Sequence, residues 1–193
     1  MPSEVAPAGG WESAEEEDRS ELLDGSGMRV AVACGRFNRQ VTERLLEGAW
    51  RRLEELGVDE NAIDIVWVPG AFELPLAART FAVSGSVDAV VCLGAVIRGE
   101  TSHYDFVAGE CAAGLQRVAL DTGVPAVFGV LTTEDFEQAL DRSGGKHGDK
   151  GAEAAEVAIE MVNVISRIEG RAAAFAASAE AAAARNVRST VDP

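Results

Sequence analysis

The chain has 193 residues, 47% of them hydrophobic, with 20 glycines and a formal net charge of -15. That is enough for one sizeable core, so one domain with tails is expected, and so acidic a chain is a poor partner for nucleic acid or an anionic membrane. No stretch is apolar for long enough to span a bilayer and the acidic start is unlike a signal peptide, so a cytoplasmic location is expected.

Residues 1–27 hold eight acidic side chains against Arg19, in a setting rich in Gly, Pro and Ser. Such a segment cannot bury enough apolar surface to fold alone and reads as a disordered, solvated leader. Cys34, Cys92 and Cys111 show no CxxC spacing and read as buried thiols. His103 and His147 each lack a second His or Cys nearby, so no metal site is expected.

Residues 28–34 (MRVAVAC) form the near-continuous apolar run of a strand covered on both faces. After the turn GRFN (35–38), Val41, Leu45, Ala49, Leu53 and Leu56 recur at helical spacing and Gly57 supplies the stop. That turn has one glycine and a bulky Phe37, which argues against a dinucleotide fingerprint. Phe37 either caps the core or offers a ring for stacking a planar heterocycle.

A second strand, IDIVWV (63–68), leads into VPGAFELP (68–75) and a helix through Ala77, Ala78, Phe81 and Ala82. Glu73 stands at the helix start, where exposed N–H groups favour a carboxylate; it reads either as a helix-end charge or as an acceptor for sugar-type hydroxyls. The third strand ends in GAVIRGETSHYDFV (94–107), with a helix expected to open at about Phe106 and to carry Val107, Cys111, Leu115 and Val118 as one stripe. Between strand and helix, Arg98, Glu100, Thr101, Ser102, His103, Tyr104 and Asp105 crowd into a polar loop beyond the carboxyl end of a central strand. Open α/β sheets bind ligands there.

VFGVL (127–131) is a fourth strand, and Thr132 or Thr133 is expected to cap a short helix running to about Arg142. Phe128 lies at the strand's opposite end, so any site it serves belongs to a neighbouring subunit. SGGKHGDKG (143–151), with Arg142, Lys146 and Lys150, reads either as an anion-binding loop or as a mobile basic linker; it lacks the Walker pattern. The last helix carries Val157, Met161, Val164, Ile165 and Ile168 near helical spacing, and residues 169–193 are an alanine-rich, partly helical extension. Strands alternating with helices give an α/β fold with a four-stranded, mostly parallel sheet and helices on both faces.

GRFN, VPGAFELP, GAVIRGETSHYDFV and residues 130–155 (VLTTEDFEQALDRSGGKHGDKGAEAA) together resemble the lumazine synthase family of riboflavin biosynthesis, over roughly residues 28–168. The resemblance implies a three-layer, flavodoxin-like domain. It implies a transferase that joins 5-amino-6-ribitylaminouracil to 3,4-dihydroxy-2-butanone 4-phosphate with loss of phosphate and water, using no cofactor or metal. Residue by residue, it places Phe37 on the pyrimidine, Asn38, Ala71 and Phe72 near it, Glu73 on the ribityl hydroxyls, and Val96 and Ile97 on the heterocycle. Gly99, Glu100 and Thr101 would line a phosphate turn with Arg142, Lys150 would contact the pyrimidine, and Phe128 would close the pocket from the adjacent subunit. His103 would carry protons, oriented by Glu153. The family's oligomers are homopentamers with sites at subunit interfaces, some assembled into hollow icosahedral shells.

Asp149 departs from that pattern, standing where the family usually has Asn; a carboxylate beside a bound anion would weaken its affinity, unless it points to solvent. Asp149 and the two tails motivate an alternative, a flavin-binding or shell-forming paralogue without catalysis. A flavodoxin-type electron carrier shares the layering, but the first turn lacks a Ser/Thr-rich phosphate loop.

Overall fold

The computed structural model describes residues 19–189. Four strands, β1 (Val30–Gly35), β2 (Ile63–Val68), β3 (Ala89–Ile97) and β4 (Ala126–Thr133), form one sheet in the order β2-β1-β3-β4, with every neighbouring pair parallel. In the two central strands every residue but Ile97 is buried, which is why their sequences are unbroken apolar runs without alternation.

Helices α1 (Arg39–Glu55) and α5 (Lys150–Ser189) cover one face of the sheet, and α2 (Leu74–Ser84) and α3 (His103–Thr122) the other. From β1 the chain crosses to β2 at one side and then returns past β1 to β3. The strand order therefore reverses between β1 and β3, and a crevice opens at their carboxyl ends. This is the three-layer α/β arrangement expected.

Several boundaries differ from expectation, each for a local reason. The helix after β3 opens at His103, not Phe106, so the polar loop shortens to residues 98–102 and His103 becomes a helix-end residue. Thr132 and Thr133 remain in β4, paired with Val96 and Ile97. The cap of the short helix α4 (Phe136–Asp141) is instead Asp135, whose carboxylate accepts from the Gln138 N–H. The glycine-rich stretch is a tight antiparallel hairpin, β5 (Ser143–Gly145) with β6 (Gly148–Asp149), running directly into α5.

The buried stripe of α5 also differs. Ala154, Ala155, Ala158 and Ile159 face the core, while Val157, Met161 and Ile168 are exposed. Small residues are needed because α5 lies very close to α1: a Cβ on Gly151 would stand 2.0 Å from the Leu45 carbonyl oxygen.

Of the acidic leader, residues 1–18 lie outside the described residues, but its end is packed. Leu22 is buried, the Asn163 amide donates to the Leu22 and Asp24 carbonyls, and the Gly25 N–H donates to Leu56 O at 2.7 Å. Among the described residues no helix is long and apolar enough to cross a membrane.

The three thiols are buried, two on strands and one on α3. Burial pushes Cys34 and Cys111 up from an ordinary 9.0 to about 12 and raises Cys92 as well. Thiolate, not thiol, is the nucleophile, so native protein at pH 8 should show almost no labelling by iodoacetamide, with all three sites reacting once it is unfolded in denaturant. Because the folded state holds these protons longer, their contribution to stability is intact below pH 9 and declines as the pH rises toward 12. Fast labelling of the folded protein would refute this.

Candidate active site

The crevice is built first from the β1 turn. Asn38 adopts a left-handed conformation (φ 58°, ψ 46°) and is the one non-glycine residue with positive φ among those described. Asn tolerates this geometry better than most residues, at some cost. Its side chain stabilises it here by donating to Ala95 O on β3 at 2.8 Å, linking the two central strands at their carboxyl ends. The Arg36 and Phe37 N–H groups donate to Val68 O and Pro69 O, which fastens the turn to the one after β2. With its backbone held, the Phe37 ring is left 73% exposed over the crevice. It caps no core, which favours the stacking role.

Asn38→Ala should cost roughly 2 kcal/mol, combining left-handed strain with a lost hydrogen bond, while Asn38→Gly should cost roughly 1, the hydrogen bond alone. Denaturant melts of the two variants check the order.

The β2 turn supplies the second wall. Gly35 and Gly70 bring the two turns together, a Cβ on Gly35 falling 3.4 Å from the Gly70 carbonyl carbon, at ordinary contact distance. Glu73 stands at the cap position of α2 with its N–H donating to Gly70 O at 3.3 Å, but its carboxylate makes no capping bond and, among the described residues, no other hydrogen bond or ion pair. It is half-buried on the crevice wall with its acceptor oxygens open, which suits hydroxyl recognition better than a helix-end charge.

The third wall is the β3 loop and the first turns of α3. Arg98 closes this loop: its backbone N–H donates to Thr133 O, and its guanidinium reaches Glu134 at 2.9 Å and Asp105 at 3.4 Å and lies 4.0 Å over the Tyr104 ring. The Glu134 hydrogen bond comes first among the causes that raise its pKa. Already engaged by two carboxylates, Arg98 is a brace for the loop rather than a free anion ligand. The loop then presents Gly99, Thr101 and His103 at the amino end of a 20-residue helix, where exposed N–H groups favour an anion.

These walls enclose a cavity of about 530 Å³. Phe37, Asn38, Ala71, Phe72, Glu73, Val96, Ile97, Gly99, Thr101 and His103 line it, all anticipated from sequence; Glu100 is on the same loop but not on the lining. Phe106 and Val107 also line it. Phe106 was missed because a helix opening at His103 is required to put it three positions on, on the same face. Val107 is only half-buried for the same reason.

Four other anticipated residues lie elsewhere in the chain. Phe128 pairs with Cys92, five positions before Ile97 in register, about 16 Å down the sheet. Arg142, at the end of α4, and Lys150 and Glu153, at the start of α5, flank the hairpin on the α1 face, whereas the cavity opens toward α2 and α3. Within one chain Glu153 pairs with Lys150, not with His103. Arg142 is half-buried, donates one guanidinium N–H to Gln138 O at 3.0 Å, and has no carboxylate recorded against it among the described residues.

The Asp149 carboxylate is engaged within the chain. Oδ1 accepts from the Gly151 and Ala152 N–H groups at 3.0 and 3.2 Å, and Oδ2 meets Arg51 at 3.2 Å. Among the described residues no group of three or more His, Cys, Asp or Glu side chains is placed to hold a metal ion.

The geometry is thus an aromatic platform, an open carboxylate and an imidazole beside a helix amino end, gathered at the sheet's switch point. The family model of 6,7-dimethyl-8-ribityllumazine synthase matches residues 27–166, which contain all of these groups. A relative from Edwardsiella ictaluri (strain 93-146), itself named 6,7-dimethyl-8-ribityllumazine synthase, is 58% identical over 142 residues, covering 73% of this chain and 91% of the relative. Fold, crevice and sequence converge, and the chain belongs to the 6,7-dimethyl-8-ribityllumazine synthase family.

Proposed function

We propose that this protein condenses 5-amino-6-ribitylaminouracil with 3,4-dihydroxy-2-butanone 4-phosphate, releasing phosphate and water, as a transferase of riboflavin biosynthesis. The observation that carries it is the cavity, where Phe37, Glu73 and His103 from three separate turns face one space sized for a heterocycle with a polyol chain.

In this reading Phe37 stacks on the pyrimidine, with Asn38, Ala71, Phe72 and the backbone at Val96 and Ile97 around it, while Glu73 accepts from the ribityl hydroxyls. Gly99, Glu100 and Thr101 form the phosphate turn at the amino end of α3. Imine formation, phosphate elimination and ring closure each move a proton near neutral pH, and His103 can both give and accept one. Holding two substrates in register supplies much of the remaining acceleration.

The second group of residues completes the site from a neighbouring copy. Phe128, Arg142, Lys150 and Glu153 cannot reach the cavity of their own chain, because they sit down the sheet or on its other face. A homo-oligomer, of pentameric type and open to further assembly into an icosahedral shell, brings them to an adjacent cavity. There Arg142 would hold the phosphate bidentately, Phe128 would close the pocket, Lys150 would meet the pyrimidine and Glu153 would orient His103. The protein is expected to work in the cytoplasm.

The test is to mix purified protein with both substrates and follow the fluorescent lumazine above the uncatalysed rate. Enzyme-dependent formation supports the reading; its absence in a folded oligomer that still binds riboflavin-like ligands would favour the non-catalytic paralogue.

A further inference from the structure

The start of α5 is joined to α1 by the Asp149 side chain, with the Arg52–Glu156 ion pair at 2.8 Å two turns further along. Asp149 lies in a notch that α1 leaves open at Gly48, where a Cβ would stand only 2.2 Å from the Asp149 carboxylate. One carboxylate oxygen caps α5 through the Gly151 and Ala152 N–H groups, and the other meets Arg51 one turn along α1. The Asp149 side chain is 18% exposed. Through the backbone this anchor continues to Arg142: Ser143 pairs with Asp149 across the hairpin, and the Lys150 N–H donates to Arg142 O at 2.9 Å.

We propose that Asp149, with Arg51 and the Gly48 notch, is a positioning residue that fixes the hairpin flanked by Arg142 and Lys150, and so sets chiefly the affinity for the phosphate-bearing substrate. The inference rests on the functional reading above for the identity of that substrate. An amide at this position keeps the cap acceptor, because Asn also has an oxygen for the two N–H groups, but gives up the charge that holds Arg51. Alanine loses both. Arg51, held by this carboxylate in the present chain, then has no partner at α5. The carboxylate therefore faces the joint between the helices.

The experiment compares Asp149→Asn, Asp149→Ala and Arg51→Ala in the full chain, reading the KM for each substrate, kcat, and hydrogen exchange of the peptide spanning residues 143–155. Asp149→Ala should raise the KM for the butanone phosphate about tenfold and the KM for the uracil, through Lys150, by clearly less, with little change in kcat, and should speed exchange of the hairpin. Asp149→Asn and Arg51→Ala should agree with each other at a two- to threefold rise, and the double variant should be no worse than either alone, because both remove the same ion pair. The proposal is overturned if Asp149→Ala leaves exchange and the phosphate-substrate KM unchanged, or if it raises both KM values alike. Exchange is read on the hairpin itself, so normal exchange in Asp149→Ala defeats the anchoring claim, whereas an unsubstituted protein that makes no lumazine defeats the functional reading.

Discussion

Arg142→Ala should raise the KM for the butanone phosphate by about 10- to 100-fold, while His103→Ala should lower kcat by about 100-fold and leave that KM nearly unchanged. The first figure follows from losing charge-assisted hydrogen bonds worth roughly 1.5–3 kcal/mol. Arg142 is suited to the role because its guanidinium is partly desolvated, held at one nitrogen by Gln138 O, and without a carboxylate recorded against it among the described residues. Arg98, Arg51 and Lys150 each already have one. The second figure sits at the low end of what a positioned acid–base group contributes, since orientation of two substrates accounts for much of the rest. His103 is exposed at the first residue of α3, with its N–H 3.4 Å from the Thr101 hydroxyl, so alanine there disturbs no core. Size-exclusion chromatography should show both variants assembled like the unsubstituted protein. Equal loss of kcat and KM effects in the two variants would contradict the separate roles, and full activity in both would remove them.

The central strands and the crevice could be read from sequence because their signals are local. β1 and β3 are buried on both faces and so are apolar without interruption, and the turns that follow them must lie at one edge of a parallel sheet. What escaped the sequence depends on close approach between distant elements. The larger apolar residues of α5, Val157, Met161 and Ile168, suggest the wrong face, because hydrophobicity marks burial only where there is room. Between α1 and the sheet there is room for Ala154, Ala155 and Ala158, with Ala154 against Gly129 of β4, and the larger Val157, Met161 and Ile168 are exposed. The surroundings of Asp149 are set the same way. Placed in a basic, glycine-rich stretch it suggests either conflict with an anion or a solvent-facing carboxylate, and neither reading points to its partners, two amides of its own helix and an arginine 98 residues away in sequence. The leader is similar: its composition is that of a solvated chain, but Leu22 and two carbonyls find α5.

Gly151→Ala should be the most damaging single-methyl change in the described fold, lowering stability by roughly 3 kcal/mol or more, at the upper end for inserting a methyl group into a packed interior. The reason is the kind of atom it meets. At Gly48 or Gly114 an added Cβ meets the Asp149 carboxylate or the Pro75 ring, side-chain atoms of which the first can rotate away. At Gly151 it meets the Leu45 carbonyl oxygen at 2.0 Å and the Leu45 carbonyl carbon at 2.7 Å, within the backbone of α1, so two helices must separate. Leu45 is itself fully buried, and Ala155, Ala158 and Ile159 follow along the same contact, so the separation opens a seam through the core on that face of the sheet. Because α5 begins one residue earlier, at Lys150, the displacement also carries the hairpin away from α1, and the proposed role of Arg142 requires that activity fall with it. Thermal and urea melts of Gly151→Ala beside Gly170→Ala, where an added Cβ meets nothing within 4 Å, separate this steric cost from any general benefit of alanine in a helix. Gly170→Ala should match or exceed the parent in stability. A Gly151→Ala protein as stable as the parent would mean that α1 and α5 are not in contact at Leu45, and with that contact would go the account of how the second half of the site is held.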